Sequence, residues 1–90
     1  MTIHIEFYGV ARQRAGVASA SLPLAGPVSL KSVIAHLQSA YPDFAEECLQ
    51  GHSLCDNYVV NIDGHRFVRD MGTEIRDDAC LLIMSADAGG

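Results

Sequence analysis

The strongest constraint on the fold is the placement of an apolar strand near each end of the chain. Residues 2–8 alternate, so that Ile3, Ile5 and Phe7 share one face of a predicted strand. Residues 80–84 read CLLIM, a nearly continuous apolar run that stops six residues before Gly90. Strands this apolar lie in the interior of a sheet. We therefore expect the first and last strands to be central and to pair with each other in parallel.

One amphipathic helix is predicted between these strands. Apolar residues recur at i, i+3, i+4 and i+7 and form a single stripe: Leu30, Val33, Ile34 and Leu37. Ser29 is a suitable N-cap, and Pro42 is expected to end the helix at Tyr41. The following residues, 43–54, leave room for a short second helix.

Two hairpins are predicted around this helix. Residues 10–16 (VARQRAG) are expected to turn the first strand into a second strand at residues 17–24. Residues 57–68 form another hairpin, with Asp63-Gly64 as its turn. The element order favours an α+β domain with a mixed sheet packed on one main helix, and the β-grasp arrangement satisfies it. We place this domain at residues 1–84.

Composition limits the classes of function. A chain of 90 residues with 49% hydrophobic and 19% charged residues is one small globular domain. Its net charge of −5 argues against nucleic acid and fits a more basic protein partner. No apolar run approaches the roughly 20 residues that span a membrane. His4 and Glu6 interrupt any N-terminal signal, so we expect no membrane contact and a cytoplasmic protein.

The sequence contains no convincing catalytic or metal site. Three widely spaced cysteines lack a C-x-x-C pair and are expected to be reduced: Cys48, Cys55 and Cys80. Cys55 lies three residues after His52, a weak candidate for a thiol nucleophile and its base. Asp77 and Asp78 are adjacent acids of the kind found in turns. We therefore expect no catalytic residue, no metal and no bound cofactor in this chain.

Apolar residues also occupy positions that face away from the predicted core. Leu82 and Met84 face outward if the residues that alternate with them face the helix. Tyr8 and Val59 fall on the same outward side of their strands. Apolar patches on small proteins often mark protein–protein contacts, so these four residues are predicted to bind a partner. The alternative is that single exposed apolar residues are ordinary.

A short arm is predicted after the last strand: Ser85, Ala86, Asp87, Ala88, Gly89 and Gly90. We expect residues 85–90 to be flexible. Glycine lacks a Cβ, so its backbone can pass through a channel that larger residues would block. The α-carboxylate of Gly90 is a poor electrophile. If a partner transfers AMP to it from ATP, the resulting acyl-adenylate can accept a sulfur nucleophile, which would make the arm a substrate.

Three stretches together point to a family. FYGVARQRAG (residues 7–16) is similar to a stretch near the start of MoaD-type proteins, the small subunits of molybdopterin synthase. VVNIDG (residues 59–64) resembles the Val-Asn strand and turn of MoaD and ThiS proteins. The terminal AGG resembles their Gly-Gly ends. In this order and at this length, the chain resembles the MoaD/ThiS family of sulfur carriers.

The resemblance implies a ubiquitin-like β-grasp fold and a carrier rather than an enzyme. Gly90 would be adenylated by an E1-like enzyme of the MoeB or ThiF type, which uses the ATP. It would then become a thiocarboxylate, and the sulfur would pass to a pterin precursor on a MoaE-type large subunit. Catalysis would belong to these partners.

Two departures from the family pattern leave the pathway open. Ser85-Ala86 stands where many MoaD proteins have Pro-Pro. Asp78-Ala79-Cys80 stands where they often have Gly-Asp-Glu. The alternatives are a carrier for thiamine, cysteine or a specialised sulfur metabolite, and a β-grasp interaction module that carries no sulfur.

Overall fold

A computed structural model of the chain describes residues 1–89. Its elements, in chain order, are β1 (Thr2–Phe7), α1 (Gly9–Ala15), β2 (Ser19–Pro23), β3 (Val28–Ser29), α2 (Leu30–Ala40), α3 (Pro42–Cys48), β4 (Leu49–Gln50), β5 (Ser53–Leu54), β6 (Tyr58–Ile62), β7 (Arg66–Val68), β8 (Glu74–Ile75), β9 (Cys80–Ser85) and α4 (Ala86–Gly89). Five strands form the main sheet, in the order β2-β1-β9-β6-β7. None of the helices in this described part is long and apolar enough to cross a bilayer.

The first and last strands form the centre of this sheet. β1 pairs with β9 in parallel, with Ile5 opposite Leu81. On its other side, β9 pairs antiparallel with β6, with Val60 opposite Ile83. The predicted central parallel pair is therefore confirmed. The two edge strands are antiparallel to their neighbours, β2 to β1 and β7 to β6.

The core lies between one face of the sheet and the helices. Strands and α2 contribute side chains with at most 1% of their surface exposed: Ile3, Ile5, Phe7, Val60, Leu81, Ile83, Leu30, Val33, Ile34 and Leu37. The Oγ of Ser29 accepts a hydrogen bond from the N–H of Ser32 at 3.3 Å, which confirms Ser29 as the N-cap of α2. Helix α2 ends at Ala40, and Pro42 opens α3, where a missing N–H is tolerated.

Residues 10–16 were predicted as a turn, and this prediction is wrong. They lie in α1 and its C-cap, so β1 and β2 are joined through a helix. Only Ala11 of this helix is buried. The sequence therefore lacks the apolar stripe with helical spacing from which a helix could have been predicted. The helix ends because Gly16 adopts a left-handed φ of 80° and donates its N–H to the Arg12 carbonyl.

The turn between β6 and β7 is fixed from two sides. Asp63 and Gly64 have φ of 58° and 76°, and the His65 N–H donates to the Ile62 carbonyl at 3.0 Å. This confirms Asp63-Gly64 as the turn of the predicted hairpin. The Oδ1 of Asp63 also accepts the Cys80 N–H at 2.9 Å. The hydrogen bond from the Cys80 N–H is the main cause that lowers the pKa of Asp63, and the Arg76 guanidinium lowers it further. The turn is thereby tied to the start of β9.

Candidate functional site

The predicted arm leaves the molecule from the middle of the sheet. Ser85 is the last residue of β9 and lies opposite Tyr58 in β6. Ala86 begins the single turn of α4, and its N–H donates to the Asn57 carbonyl at 2.8 Å. The strand therefore continues one residue into the segment predicted as an arm. Gly90 lies outside the described residues, and the flexibility of the segment stays a prediction.

The alternation predicted for β9 is present. Leu81 and Ile83 are fully buried in the core, and Leu82 and Met84 are half-buried on the opposite side of the sheet. Tyr8 follows β1 directly, and its N–H donates to the Ile83 carbonyl at 3.0 Å. Tyr8 therefore lies beside β9, with 44% of its surface exposed.

Val59 completes the set of four predicted partner-binding residues, but it offers little surface. It lies opposite Met84 across the β6–β9 pair. Only 8% of Val59 is exposed, and it stands outside the core cluster on the other side of the sheet. The sheet thus brings the four residues to one side, where Tyr8, Leu82 and Met84 present more surface than Val59.

Two further residues on this side were missed from the sequence. Phe67 in β7 lies opposite Asn61 in β6, and Asn61 lies opposite Leu82 in β9. Phe67 is 51% exposed, the largest exposed fraction among the large hydrophobic residues. The predicted hairpin around Asp63 already contained the signal, because its register sets Phe67 across from Asn61. The outward face, as we define it, consists of Tyr8, Val59, Asn61, Phe67, Leu82 and Met84.

A carboxylate borders the outward face. Glu6 lies opposite Leu82 across the β1–β9 pair. Its Oε2 accepts the Tyr8 hydroxyl at 3.3 Å and the Cys80 thiol at 3.4 Å. Burial away from water is the largest cause that raises the pKa of Cys80 to about 11, and the nearby Glu6 carboxylate is the next. The same two causes raise the pKa of Tyr8. Both groups are therefore protonated donors at neutral pH, and both donate to Glu6 at the rim of the face.

The remaining thiols, Cys48 and Cys55, differ in burial and in their surroundings. Burial raises the pKa of Cys48 to about 11, so it is not a thiolate at neutral pH. The Cys55 thiol donates to the Glu47 carbonyl, with sulfur and oxygen 3.9 Å apart, while His52 lies exposed in the turn between β4 and β5. Across residues 1–89, no three His, Cys, Asp or Glu side chains are grouped closely enough to hold a metal ion.

A mixed sheet with a parallel central pair, packed on one main helix, defines a ubiquitin-like β-grasp domain. Solved structures with this fold match the chain almost end to end. SAMP1 from Haloferax volcanii has a TM-score of 0.83 at 17% identity, with 100% of both chains covered. A putative molybdopterin converting factor, subunit 1, from Pyrococcus furiosus has a TM-score of 0.77 at 18% identity, covering 94% of this chain and 97% of that one.

A third match is the BexX/CysO complex of Amycolatopsis orientalis. Its TM-score is 0.71 at 20% identity, with 98% of this chain and 99% of that chain covered. No protein-family profile matches the chain. No curated protein sequence matches it either. At these identities the likeness establishes the fold, so the β-grasp fold expected from the resemblance is confirmed.

Proposed function

We propose that this chain is a sulfur carrier of the MoaD/ThiS type, in which the carboxyl group of Gly90 is adenylated and converted to a thiocarboxylate. The observation that supports this most is the position of β9. As a central strand it is held on both sides, and it delivers the following residues beside the outward face. A partner that covers that face is thereby positioned to receive the segment that follows Ser85.

The partner in the first reaction is an E1-like adenylyltransferase of the MoeB or ThiF type. It binds the ATP and joins AMP to the Gly90 carboxylate, with release of pyrophosphate. Sulfide then adds to the acyl carbon, AMP leaves, and the thiocarboxylate remains. This chain contributes the docking surface and the acyl group, and the arm from Ser85 to Gly89 carries that group into the partner's active site. The ATP requirement fits a cytoplasmic protein.

We infer that the sulfur goes to a molybdopterin precursor on a MoaE-type large subunit. The likeness to a molybdopterin converting factor, subunit 1, supports this acceptor. The likeness to CysO in its complex with BexX supports a different kind of protein partner, so an acceptor in the synthesis of cysteine or a specialised metabolite is the second candidate. One contact favours keeping that candidate. The Ala86 N–H bonds to the Asn57 carbonyl, and a proline at position 86, as in many MoaD proteins, has no N–H to donate.

The carrier reaction is tested by mass spectrometry. The chain is incubated with a MoeB/ThiF-type enzyme, ATP and sulfide, and its C-terminal peptide is analysed. We expect an oxygen-to-sulfur mass increase confined to that peptide. Deletion of Gly90 should abolish the change, whereas Cys55→Ala should leave it intact, because the thiol takes no part. An unchanged peptide with an enzyme that is active on its own carrier would refute the proposal and favour a non-carrier interaction module.

The acceptor is tested separately, once the thiocarboxylate has been made. It is offered in parallel to a MoaE-type subunit with the pterin precursor and to the sulfur-accepting enzymes of the thiamine and cysteine pathways. Loss of sulfur in the first reaction alone supports molybdopterin synthesis. Transfer only to another acceptor would keep the carrier proposal and replace the pathway.

A further inference from the structure

Asn61 is an anomaly at the centre of the outward face. Asn61 is only 7% exposed, yet the Oδ1 atom of its side chain has no hydrogen-bond partner among residues 1–89. A buried acceptor without a donor destabilises the protein that contains it. A side chain of similar size without polar atoms, such as leucine, would avoid this penalty. The presence of Asn61 therefore points to a donor that arrives with a partner.

The neighbours of Asn61 indicate what kind of donor fits. Across the sheet, one row of residues runs from Phe67 through Asn61 and Leu82 to Glu6. The row thus presents a half-exposed aromatic ring, an unpaired acceptor, an apolar side chain and a carboxylate, in that order. Asn61 lies between Phe67 and Leu82 in this row, and the exposed Phe67 side chain has room to change rotamer when a partner docks. Side-chain rotations of this kind are common when interfaces form.

Resting on the function proposed above, we propose that the activating enzyme places an arginine side chain over this row, with its guanidinium donating to the Asn61 oxygen and stacking on Phe67. Arginine combines a planar group that stacks on aromatic rings, several donors, and weak hydration that suits an apolar surface. The ammonium of lysine is more strongly hydrated and has no planar face. Glu6 at the end of the row and the net charge of −5 both favour a cation.

The proposal makes a prediction whose two parts have opposite signs. Asn61→Leu removes an unpaired buried acceptor, so the free chain should become more stable, with a melting temperature raised by roughly 5 °C or more. The same variant loses the hydrogen bond to a charged donor, so the activating enzyme should bind it roughly tenfold to a hundredfold more weakly. If Asn61 had a purely structural role, its replacement would lower the stability of the free chain.

Phe67 provides a matched pair of variants. Phe67→Tyr keeps the aromatic face, and Phe67→Leu keeps an apolar side chain without it. If a guanidinium stacks on the ring, Phe67→Leu should weaken binding roughly threefold to thirtyfold, and Phe67→Tyr should bind within about twofold of the unmodified chain. Ser39→Ala, at an exposed position of α2 on the other side of the molecule, is the control and should change neither stability nor affinity.

The experiment measures melting temperature by circular dichroism and affinity for the MoeB/ThiF-type enzyme by calorimetry, beside adenylation of each variant. If the unmodified chain is neither bound nor adenylated, the proposed function fails and this inference fails with it. If the unmodified chain is adenylated and Asn61→Leu binds equally well, the inference alone is overturned. Equal weakening by Phe67→Tyr and Phe67→Leu would overturn the assignment of the donor as a stacked arginine.

Discussion

Leu81 and Leu82 are neighbours in β9 that face opposite sides of the sheet, so the same substitution at each position separates folding from docking. Leu81 is fully buried, between Ile5 of β1 and Ile62 of β6. Leu81→Ala leaves a cavity in a close-packed core, which lowers the free energy of unfolding by about 2–5 kcal/mol. In a domain of this size the melting temperature should fall by on the order of 10–30 °C.

Leu82→Ala should behave differently, because Leu82 is only half-buried in the free chain. The loss of unfolding free energy should be about 1 kcal/mol or less. When a partner covers the outward face, the rest of the Leu82 side chain leaves water. Its truncation should then reduce the affinity of the activating enzyme by about 1–2 kcal/mol, or roughly fivefold to thirtyfold.

Thermal unfolding and pyrophosphate exchange by the activating enzyme measure the two effects. We expect Leu81→Ala to lose mainly stability, and Leu82→Ala to raise the KM for adenylation with little change in melting temperature. Equal destabilisation by both variants would show that Leu82 is already tightly packed in the free chain rather than available to a partner. An unchanged KM for Leu82→Ala would refute docking on the outward face.

Two other predictions concern charge. Met84→Asp places a carboxylate in the apolar contact, so kcat/KM for adenylation should fall by at least roughly tenfold while the free chain stays folded. His36→Asp, on the exposed side of α2, is the control, and unfolding of Met84→Asp would instead assign Met84 to the core. The raised pKa values of Cys48 and Cys80, both about 11, favour the protonated thiols in the folded state. The contribution of these thiols to stability should therefore be constant below pH 9, the ordinary thiol value, and decline as the pH rises towards 11. Urea unfolding at stepwise pH measures this, and Cys48→Ala should show a shallower decline; a flat profile to pH 11 would contradict the assignment.

The strands and the main helix could be predicted because their signals are local. Ile3, Ile5 and Phe7 alternate with less buried residues within one strand. The start of α2 is marked by one residue, Ser29, and its end by another, Pro42. Helix α1 gave no such signal. It buries one residue, and it is held by tertiary contacts such as the ion pair of Arg14 with Glu47 of α3, 3.4 Å apart. A seven-residue helix of this kind is marginal by itself.

The outward face could be predicted only in part, for a related reason. Apolar residues at alternate positions of β9 are visible in the sequence, so Leu82 and Met84 were found. The burial of Asn61 depends on residues from two other strands, and a polar residue in a strand is ordinarily expected to face water. Its unpaired oxygen is a property of the assembled sheet and has no local signature.

The position of β9 also makes the fold dependent on residues far along the chain from β1, the strand with which β9 pairs. Without residues 80–85, the main sheet divides into two separate strand pairs, β1 with β2 and β6 with β7. A single two-stranded hairpin is marginally stable in water. The outward face also spans this junction, because Leu82 and Met84 lie between Tyr8 on one side and Asn61 and Val59 on the other. A ribosome that stops before Cys80 therefore releases a chain that cannot assemble the outward face. Under the proposed function, docking on the assembled face would therefore select chains long enough to have completed the sheet.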